Sequence, residues 1–410
     1  MTDPGARVVS ALGFVVLLGV AWLFSSDRRG IAPRTIAWGI GLQAALALAL
    51  LATPLRAWLF PLFEVMVRSL IDWTAAGTGF LFGPLLSLGH SFALHVLPVI
   101  VFMGAVFGVL YHVGIVQPVV RALARGLSRS MGVSGAEGLA AAANVFVGMI
   151  ESGIAVGPYL SRMTRSELFA FMTLGMSTIA GSVLVTYAQI LGERVFAGHL
   201  VVASLVSAPA ALVVAKVMVP ERERPETLNI GADLEAPKAN NLIDAAAMGA
   251  LSGLRMALNI GALLIAFVAL IAVANSAIGA VGGLFGAPEL TFQSILGTLL
   301  APLAWLMGVP WSEAAEVGAL IGIKTVLNEF LAYQDLAAAI ADGSLSPRSA
   351  LIASYALCGF ANFGSLAILL GGIEALAPER RPEAAALGLR SILAGTLATC
   401  LTGCLAGLIV

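Results

Sequence analysis

The chain has 410 residues, of which 59% are hydrophobic and only 11% are charged, and its mean hydropathy is +0.97. A soluble domain carries about a quarter charged residues, so this composition excludes that class and indicates a polytopic helical membrane protein. The net charge of -1 argues against nucleic acid as a partner. The three cysteines lie in apolar stretches, which argues against a disulfide framework.

Eight apolar runs are long enough to predict membrane-spanning helices. They lie near residues 8–25, 35–53, 92–113, 167–190, 196–219, 256–275, 349–371 and 387–409. The first run lacks an early basic region and a small-residue cleavage site, so we expect a span and not a signal peptide. Residues 55–90 are amphipathic and predict an interfacial helix, and residues 116–131, with arginines four apart, predict a surface helix.

Two regions, 134–160 and 311–335, are apolar yet interrupted by polar residues and glycine. The interrupting residues include Asn144, Gly148, Glu151, Lys324, Asn328 and Glu329. A carboxylate at bilayer depth costs roughly 2.5–3.5 kcal/mol, so such a residue persists where it faces a cavity or binds something. Both regions therefore predict re-entrant helical hairpins, and a pair of interrupted segments in the two halves of a transporter indicates a site near the midplane.

Two further polar clusters, Ser177–Val183 and Cys358–Ser365, lie inside predicted spans. Serine and glycine let a helix unwind there and free carbonyl groups for a small cation, although tight helix packing is an equal alternative. Carboxylates and amides around a cavity match a neutral polyhydroxylated molecule such as a sugar. The sequence has no phosphate-binding loop, which argues against phosphorylated substrates.

The distribution of arginine and lysine predicts the orientation in the membrane. If the N-terminus is periplasmic, most basic residues fall in cytoplasmic loops, as the positive-inside rule requires. The first hairpin then enters from the cytoplasmic side and the second from the periplasmic side. Residues 220–240, which are rich in Pro, Glu and Arg, predict a cytoplasmic linker.

A specific motif runs from Gly322 to Tyr333, and through it the chain resembles the concentrative nucleoside transporter family. That family carries Gly-x-Lys-x3-Asn-Glu-Phe-Val-Ala followed by an aromatic residue, and Leu331 replaces the valine here. The likeness extends from about residue 60 to nearly the end of the chain. Further matching stretches are 132–137, 158–168, 178–183, 207–210 and 358–362.

The resemblance implies an all-α, multi-pass homotrimer in the bacterial inner membrane. It has eight transmembrane helices, two re-entrant hairpins and interfacial helices, and a scaffold surrounds transport domains that move like elevators. The implied division is 1–131 for the N-terminal scaffold spans and interfacial helices, 132–219 for the first hairpin and transport helices, 220–240 for the linker, 241–288 for a scaffold span, and 289–410 for the second hairpin and transport helices.

The resemblance also implies the roles of particular residues. Ribose recognition falls on Glu329, Asn362 and Ser365. The sodium site falls on Asn144, Val147, Thr178 and Ile179, through side chains and carbonyls. The remaining substrate contacts fall on Met149, Ile150, Glu151, Val183 and Phe360.

The tip of the first hairpin departs from the family pattern. The family usually carries Gly-Gln-Thr-Glu-Ala-Pro-Leu there, whereas residues 148–154 read Gly-Met-Ile-Glu-Ser-Gly-Ile. Two polar contacts to the nucleobase have become apolar, while Glu151 remains. We therefore expect a nucleoside substrate with altered base selectivity at Met149 and Ile150. A modified nucleoside or another glycoside is the alternative.

The coupling ion and the class of protein have alternatives of their own. Asn144 and Thr178 favour sodium, whereas Glu151 allows a proton-coupled symporter, and no organic cofactor is expected. An intramembrane enzyme would need a nucleophile–base pair or a metal constellation, and the histidines show no such spacing. A channel or a nucleoside sensor is a further alternative, which gradient-dependent accumulation in liposomes would exclude.

Overall fold

The computed structural model of the chain describes residues 4–89, 91–228 and 239–409, and within these ranges the backbone forms helices and no strand. The α-helices in chain order are α1 Pro4–Leu23, α2 Pro33–Leu51, α3 Leu55–Phe82, α4 Leu97–Val113, α5 Val116–Met131, α6 Gly135–Val147, α7 Met149–Leu160, α8 Arg165–Ser177, α9 Gly181–Leu191, α10 Glu193–Met218, α11 Leu242–Leu284, α12 Phe292–Leu306, α13 Trp311–Val326, α14 Glu329–Asp342, α15 Pro347–Leu357, α16 Phe363–Leu376 and α17 Arg381–Ile409.

In the described part of the chain, seven of the predicted spans correspond to helical segments that are long and apolar enough to cross a membrane. The predicted span at 256–275 belongs to α11, which has 43 residues and extends well beyond both predicted ends. The predicted span at 167–190 consists of α8 and α9, with an interruption between them. The eighth predicted span, 349–371, is also interrupted, because α15 ends before residues 358–362 and α16 begins after them.

Each predicted hairpin is a pair of helices joined by a very short break. In the first hairpin, α6 begins with a capping box formed by Ser134 and Glu137. It ends at Gly148, whose φ of 95° is a conformation that glycine adopts without strain. A Cβ atom at this position would lie 2.7 Å from the Cβ of Ala180, so the close approach of the neighbouring break also requires glycine.

The second hairpin consists of α13 and α14, which are separated by Leu327 and Asn328. Asn328 begins α14 by accepting a hydrogen bond from the backbone N–H of Leu331 at 3.0 Å. Both hairpins therefore turn inside apolar sequence, as the interrupted pattern predicts, and a side chain caps the helix that follows the turn in the second hairpin.

One helix, α12, was not predicted. It has 15 residues, which is too short to span a bilayer alone, and it meets α13 at an angle of 114°. Thr291 caps its first turn. The second hairpin is thereby preceded by an apolar arm that packs along α13 and contacts α1.

Two helices have the amphipathic character that the sequence predicts. Most of α3 is exposed, and its exposed positions include Trp58 and Trp73, as expected of a helix at the lipid interface. On α5, one face is buried, whereas Arg125 and Arg129 lie on the exposed face.

The long helix α11 packs closely against α4 through glycines. A Cβ atom at Gly249 would lie 2.2 Å from the carbonyl oxygen of Gly104, and one at Gly253 would lie 2.5 Å from that of Ile100. Small residues let two helix backbones approach in this way. Elsewhere, α1 packs against α17 and α2 against α10. The division into scaffold and transport segments at the predicted boundaries stays a prediction.

The described part of the predicted linker, 220–240, is partly buried, and residues 229–238 of it lie outside the described ranges. Thr227 is buried, its hydroxyl donates to Glu167, and its carbonyl accepts from the N–H of Gly135 at 3.1 Å. The linker therefore begins as a segment attached to the base of the first hairpin.

The glycine contact between α4 and α11 leads to a stability prediction. In Gly249→Ala the added methyl group would overlap the Gly104 carbonyl, so the helices must separate, at a cost of about 1–3 kcal/mol. Thermal denaturation in detergent should show a lower Tm. Gly41→Ala is the control, because nothing lies within 4 Å of its Cβ position on α2. Equal Tm values for the two variants would contradict the close crossing.

Candidate functional site

Four helices begin at breaks inside apolar segments. They are α7 at Met149, α9 at Gly181, α14 at Glu329 and α16 at Phe363. The first N–H groups of a helix have no partner within that helix and carry partial positive charge. α9 contacts α14, and α7 contacts α16. The interior of the protein thus contains polar backbone that a long continuous helix would not provide.

A buried carboxylate lies at the start of α14. Glu329 is 4% exposed, and its two oxygens have different partners. Oε1 accepts a hydrogen bond from the hydroxyl of Tyr187 at 2.8 Å, and Oε2 accepts one from Nδ2 of Asn362 at 2.8 Å. The Oδ1 atom of Asn362 in turn accepts from the backbone N–H of Ser365 at 2.7 Å. The structure therefore joins the three residues of the predicted ribose site in one chain of hydrogen bonds.

An aromatic cluster holds Tyr187 against this carboxylate. The ring of Tyr187 stacks on Tyr333 with centroids 4.3 Å apart and meets the edge of Phe330 at 4.8 Å. The hydroxyl of Tyr333 donates to the carbonyl of Ser354 at 2.9 Å. Tyr187 was not predicted from the sequence. The available signal was its place on α9, just after the polar cluster 177–183.

Lys324 supports the break between α15 and α16. Its side chain is fully buried, and Nζ donates to the carbonyl of Ala356 at 2.8 Å and to the hydroxyl of Thr399 at 2.9 Å. Ala356 lies in the last turn of α15, where carbonyls have no partner further along the helix. The lysine of the motif therefore satisfies a helix end and connects α13, α15 and α17.

A second polar cluster lies at the break between α8 and α9. Nδ2 of Asn144 lies 2.5 Å from the carbonyl oxygen of Leu174 and 2.6 Å from Oγ1 of Thr178. Both Asn144 and Thr178 are buried. The hydroxyl of Ser152 lies 3.4 Å from Oδ1 of Asn144. Oxygens from α7, from α8 and from the break after α8 therefore lie around the carboxamide of Asn144 on α6.

The two carbonyl positions of the predicted sodium site lie at helix ends. Val147 is the last residue of α6, and Ile179 lies in the break before α9. The Ile179 carbonyl is 3.4 Å from the hydroxyl of Ser204. Carbonyl, amide and hydroxyl oxygens can replace the hydration shell of a small cation. If the carboxamide of Asn144 flipped, its oxygen would occupy the present position of Nδ2, beside Leu174 and Thr178. The site would then offer a set of oxygen ligands that fits a hard cation such as sodium.

The residues predicted to contact the nucleobase lie in different surroundings. Met149 is 7% exposed and lines a small apolar cavity between α7 and α16, with Phe171 and Leu369. Val183 and Phe360 are buried, Val183 in the first turn of α9 and Phe360 in the break before α16. The side chain of Ile150 lies outside the described part of the structure.

Glu151 lines a larger cavity of about 300 Å³ on the other side of the tip. α4 and α11 form one wall with Tyr111 and Met256, and the hairpin and α9 form the other with Phe146 and Ser182. Ligand pockets typically begin at about this volume. Glu151 thus has access to an internal space, whereas Met149 faces a separate one.

Models of known families match most of the chain. The model described as "Na+ dependent nucleoside transporter N-terminus" matches residues 12–85, and that of the C-terminus matches residues 199–407. A model described as "Nucleoside recognition" matches residues 93–194.

Individual proteins match over nearly their full lengths. "Uncharacterized transporter YutK" of Bacillus subtilis (strain 168) is 47% identical over 402 residues, covering 97% of this chain and 98% of that protein. "Nucleoside permease NupC" of Helicobacter pylori is 38% identical over 416 residues, covering 99% and 98%. A structure of CNTnw in an inward-facing substrate-bound state is 43% identical, with a TM-score of 0.92 over 98% of each chain. The expected elevator-type fold is confirmed by this likeness.

The hydrogen bond from Tyr187 to Glu329 leads to a further prediction. Tyr187→Phe keeps the stacked ring but removes one of the two side-chain donors to a buried carboxylate, which costs about 1.5–3 kcal/mol. The purified variant should unfold at a lower temperature than the wild type. Tyr159→Phe, a half-buried tyrosine on α7, is the matched control. A Tm for Tyr187→Phe equal to that of the control would show that the hydroxyl does not stabilise the site.

Proposed function

Because the chain belongs to the concentrative nucleoside transporter family, we propose that it is a sodium-coupled symporter that takes up nucleosides across the bacterial inner membrane. The observation that carries the proposal is the buried pair of Glu329 and Asn362, joined at 2.8 Å. A carboxylate without a cationic partner in hydrogen-bonding range is expensive to bury unless it binds something.

Glu329 has the capacity to bind a sugar. A carboxylate offers about four lone-pair positions, and Tyr187 and Asn362 occupy two of them. Two neighbouring ribose hydroxyls can donate to the remaining positions, while Asn362 and Ser365 supply further polar contacts. Charge-assisted hydrogen bonds of this kind are about twice as strong as neutral ones.

Sodium would bind at Asn144, Val147, Thr178 and Ile179. The cation site and the substrate site share structural parts, because Thr178 and Ile179 lie just before α9 and Tyr187 lies on it. A cation that orders this break would also order the helix that holds Glu329 in place. Such shared ordering gives positive coupling between two ligands.

Proton coupling is the second candidate, and the position of Glu151 favours it. This carboxylate lines the cavity between the hairpin tip and α4–α11, where it could bind and release a proton. A proton-coupled carrier would follow the pH gradient and not the sodium gradient, so the two candidates differ in a direct measurement.

The nucleobase would lie near Glu151, with Ile150, Val183 and Phe360 forming the apolar surroundings. Met149 lines the separate small cavity in this structure and would contact the base only after a rearrangement of the tip. A lone carboxylate accepts hydrogen bonds and donates none. It therefore favours a base that presents two adjacent N–H donors, and guanine has this arrangement. A modified nucleoside or another glycoside with the same donors is the alternative substrate.

The proposal includes a homotrimer and a periplasmic N-terminus. The long helix α11 exposes large apolar side chains such as Leu258 and Ile265, which suit lipid or a second copy of the chain. The placement of arginines in alternate loops supports the orientation.

Uptake in proteoliposomes tests the coupling. With the full chain and a fixed pH, replacing external sodium by choline should abolish concentrative uptake of a radiolabelled nucleoside. Asn144→Ala should lose the same uptake in the presence of sodium, because it removes the carboxamide of the cation site. Undiminished uptake in choline that follows a pH gradient would contradict sodium coupling, and simple equilibration would indicate a channel.

A competition panel tests the base. The concentration of guanosine that inhibits uptake should be at least about tenfold lower than that of inosine. Inosine lacks the amino group and therefore loses one hydrogen bond to Glu151. Met149→Gln with Ile150→Thr should reduce this preference, because the tip then offers other polar contacts. Leu389→Met, an exposed apolar exchange on α17 at a position that lines neither cavity, is the control. An unchanged profile in the double variant would contradict the role of the tip.

A further inference from the structure

Ser152 is a buried hydroxyl at the tip of the first hairpin. It stands where the family pattern quoted above has alanine, and it is 1% exposed. The residues assigned above to substrate and sodium do not include it. Its position beside Asn144 gives it a role in the cation site.

The turn at Gly148 brings Ser152 to Asn144. The N–H of Gly148 donates to the carbonyl of Asn144 at 3.2 Å, and the N–H of Ser152 donates to the carbonyl of Gly148 at 3.0 Å. The two side chains therefore lie one helical turn before and one turn after the reversal of the chain. This arrangement depends on the positive φ of Gly148.

The Ser152 hydroxyl has two oxygen neighbours. It lies 3.1 Å from the carbonyl of Met149 and 3.4 Å from Oδ1 of Asn144. A hydroxyl has one hydrogen and two lone pairs. If its hydrogen points to Met149, a lone pair is free to face the carboxamide of Asn144, whose Nδ2 atom lies 2.6 Å from the hydroxyl of Thr178.

We propose that Oγ of Ser152 is an additional ligand of the coupling cation, next to Asn144 and Thr178. This inference rests on the proposed sodium site and extends it to α7. Three side-chain oxygens, from α6, from α7 and from the break after α8, then hold the ion together with backbone carbonyls. Oxygen donors of this kind suit a hard cation.

The additional ligand has a consequence for the hairpin. The other ligands lie on α6 and on the break after α8, whereas Ser152 lies in the first turn of α7, beside Glu151. Cation binding would therefore fix the start of α7 and, with it, the residues that meet the nucleobase. Ser152 would thus bind the ion directly from the hairpin tip.

Sodium titration of the purified full-length protein tests the proposal. The Tm is measured against sodium chloride, with choline chloride keeping the ionic strength constant. In Ser152→Ala the half-saturating sodium concentration should rise about five- to tenfold, as expected for one lost oxygen contact. Ser391→Ala is the matched control, because Ser391 is equally buried and makes the same kind of bond to a carbonyl three residues earlier, at 2.7 Å.

A second variant and a second readout separate ligation from folding. Ser152→Cys nearly keeps the volume but replaces oxygen with sulfur, a poor ligand for sodium, so its titration should shift in the same direction. The second readout is nucleoside uptake in proteoliposomes as a function of sodium, in which the half-saturating sodium concentration should rise by the same factor in both variants.

The outcomes are distinct. A wild-type sodium titration in both Ser152 variants, together with its loss in Asn144→Ala, would overturn the role of Ser152 and leave sodium coupling intact. A wild-type protein whose Tm responds equally to sodium and choline would overturn both the role of Ser152 and sodium coupling.

Discussion

A helix that ends inside a membrane leaves peptide groups without partners, and the functional site of this protein depends on how those groups are satisfied. In the hydrocarbon region, each unpaired backbone group costs several kcal/mol. Asn328 and Asn362 cap two of the internal helix starts, and Lys324 bonds a carbonyl at an internal helix end. Polar side chains that are themselves buried therefore stabilise these two helix starts and this helix end.

The residues that stabilise the breaks also provide the binding groups. Asn362 caps α16 with its oxygen and bonds Glu329 with its nitrogen, so one carboxamide serves the backbone and the substrate site together. Thr178 ends α8 and bonds Asn144. A ligand that strengthens one break therefore affects the helices that hold the other site, which gives a physical basis for coupling an ion to a nucleoside.

The sequence predicted the parts of the fold that have a local signal. Glycine and carboxylates within apolar runs indicated both hairpins, and the family motif indicated Glu329 with Asn362. Tyr187 was missed because its bond to Glu329 joins residues 142 positions apart, and no local pattern marks such a contact. The helix α12 was missed because it is shorter than a span. Met149 and Glu151 line different cavities because the hairpin tip packs against α16 on one side and faces α11 on the other. This tertiary packing has no local signal in the sequence.

The account is tested most directly by equilibrium binding of a radiolabelled nucleoside to the purified protein, measured in sodium and in choline at equal ionic strength. Because the two sites share helix breaks, sodium should raise the affinity for the nucleoside. The nucleoside should raise the affinity for sodium by the same factor, since coupling between two binding sites is reciprocal. Equal nucleoside affinities in both salts would contradict the account, since the two sites would then be independent.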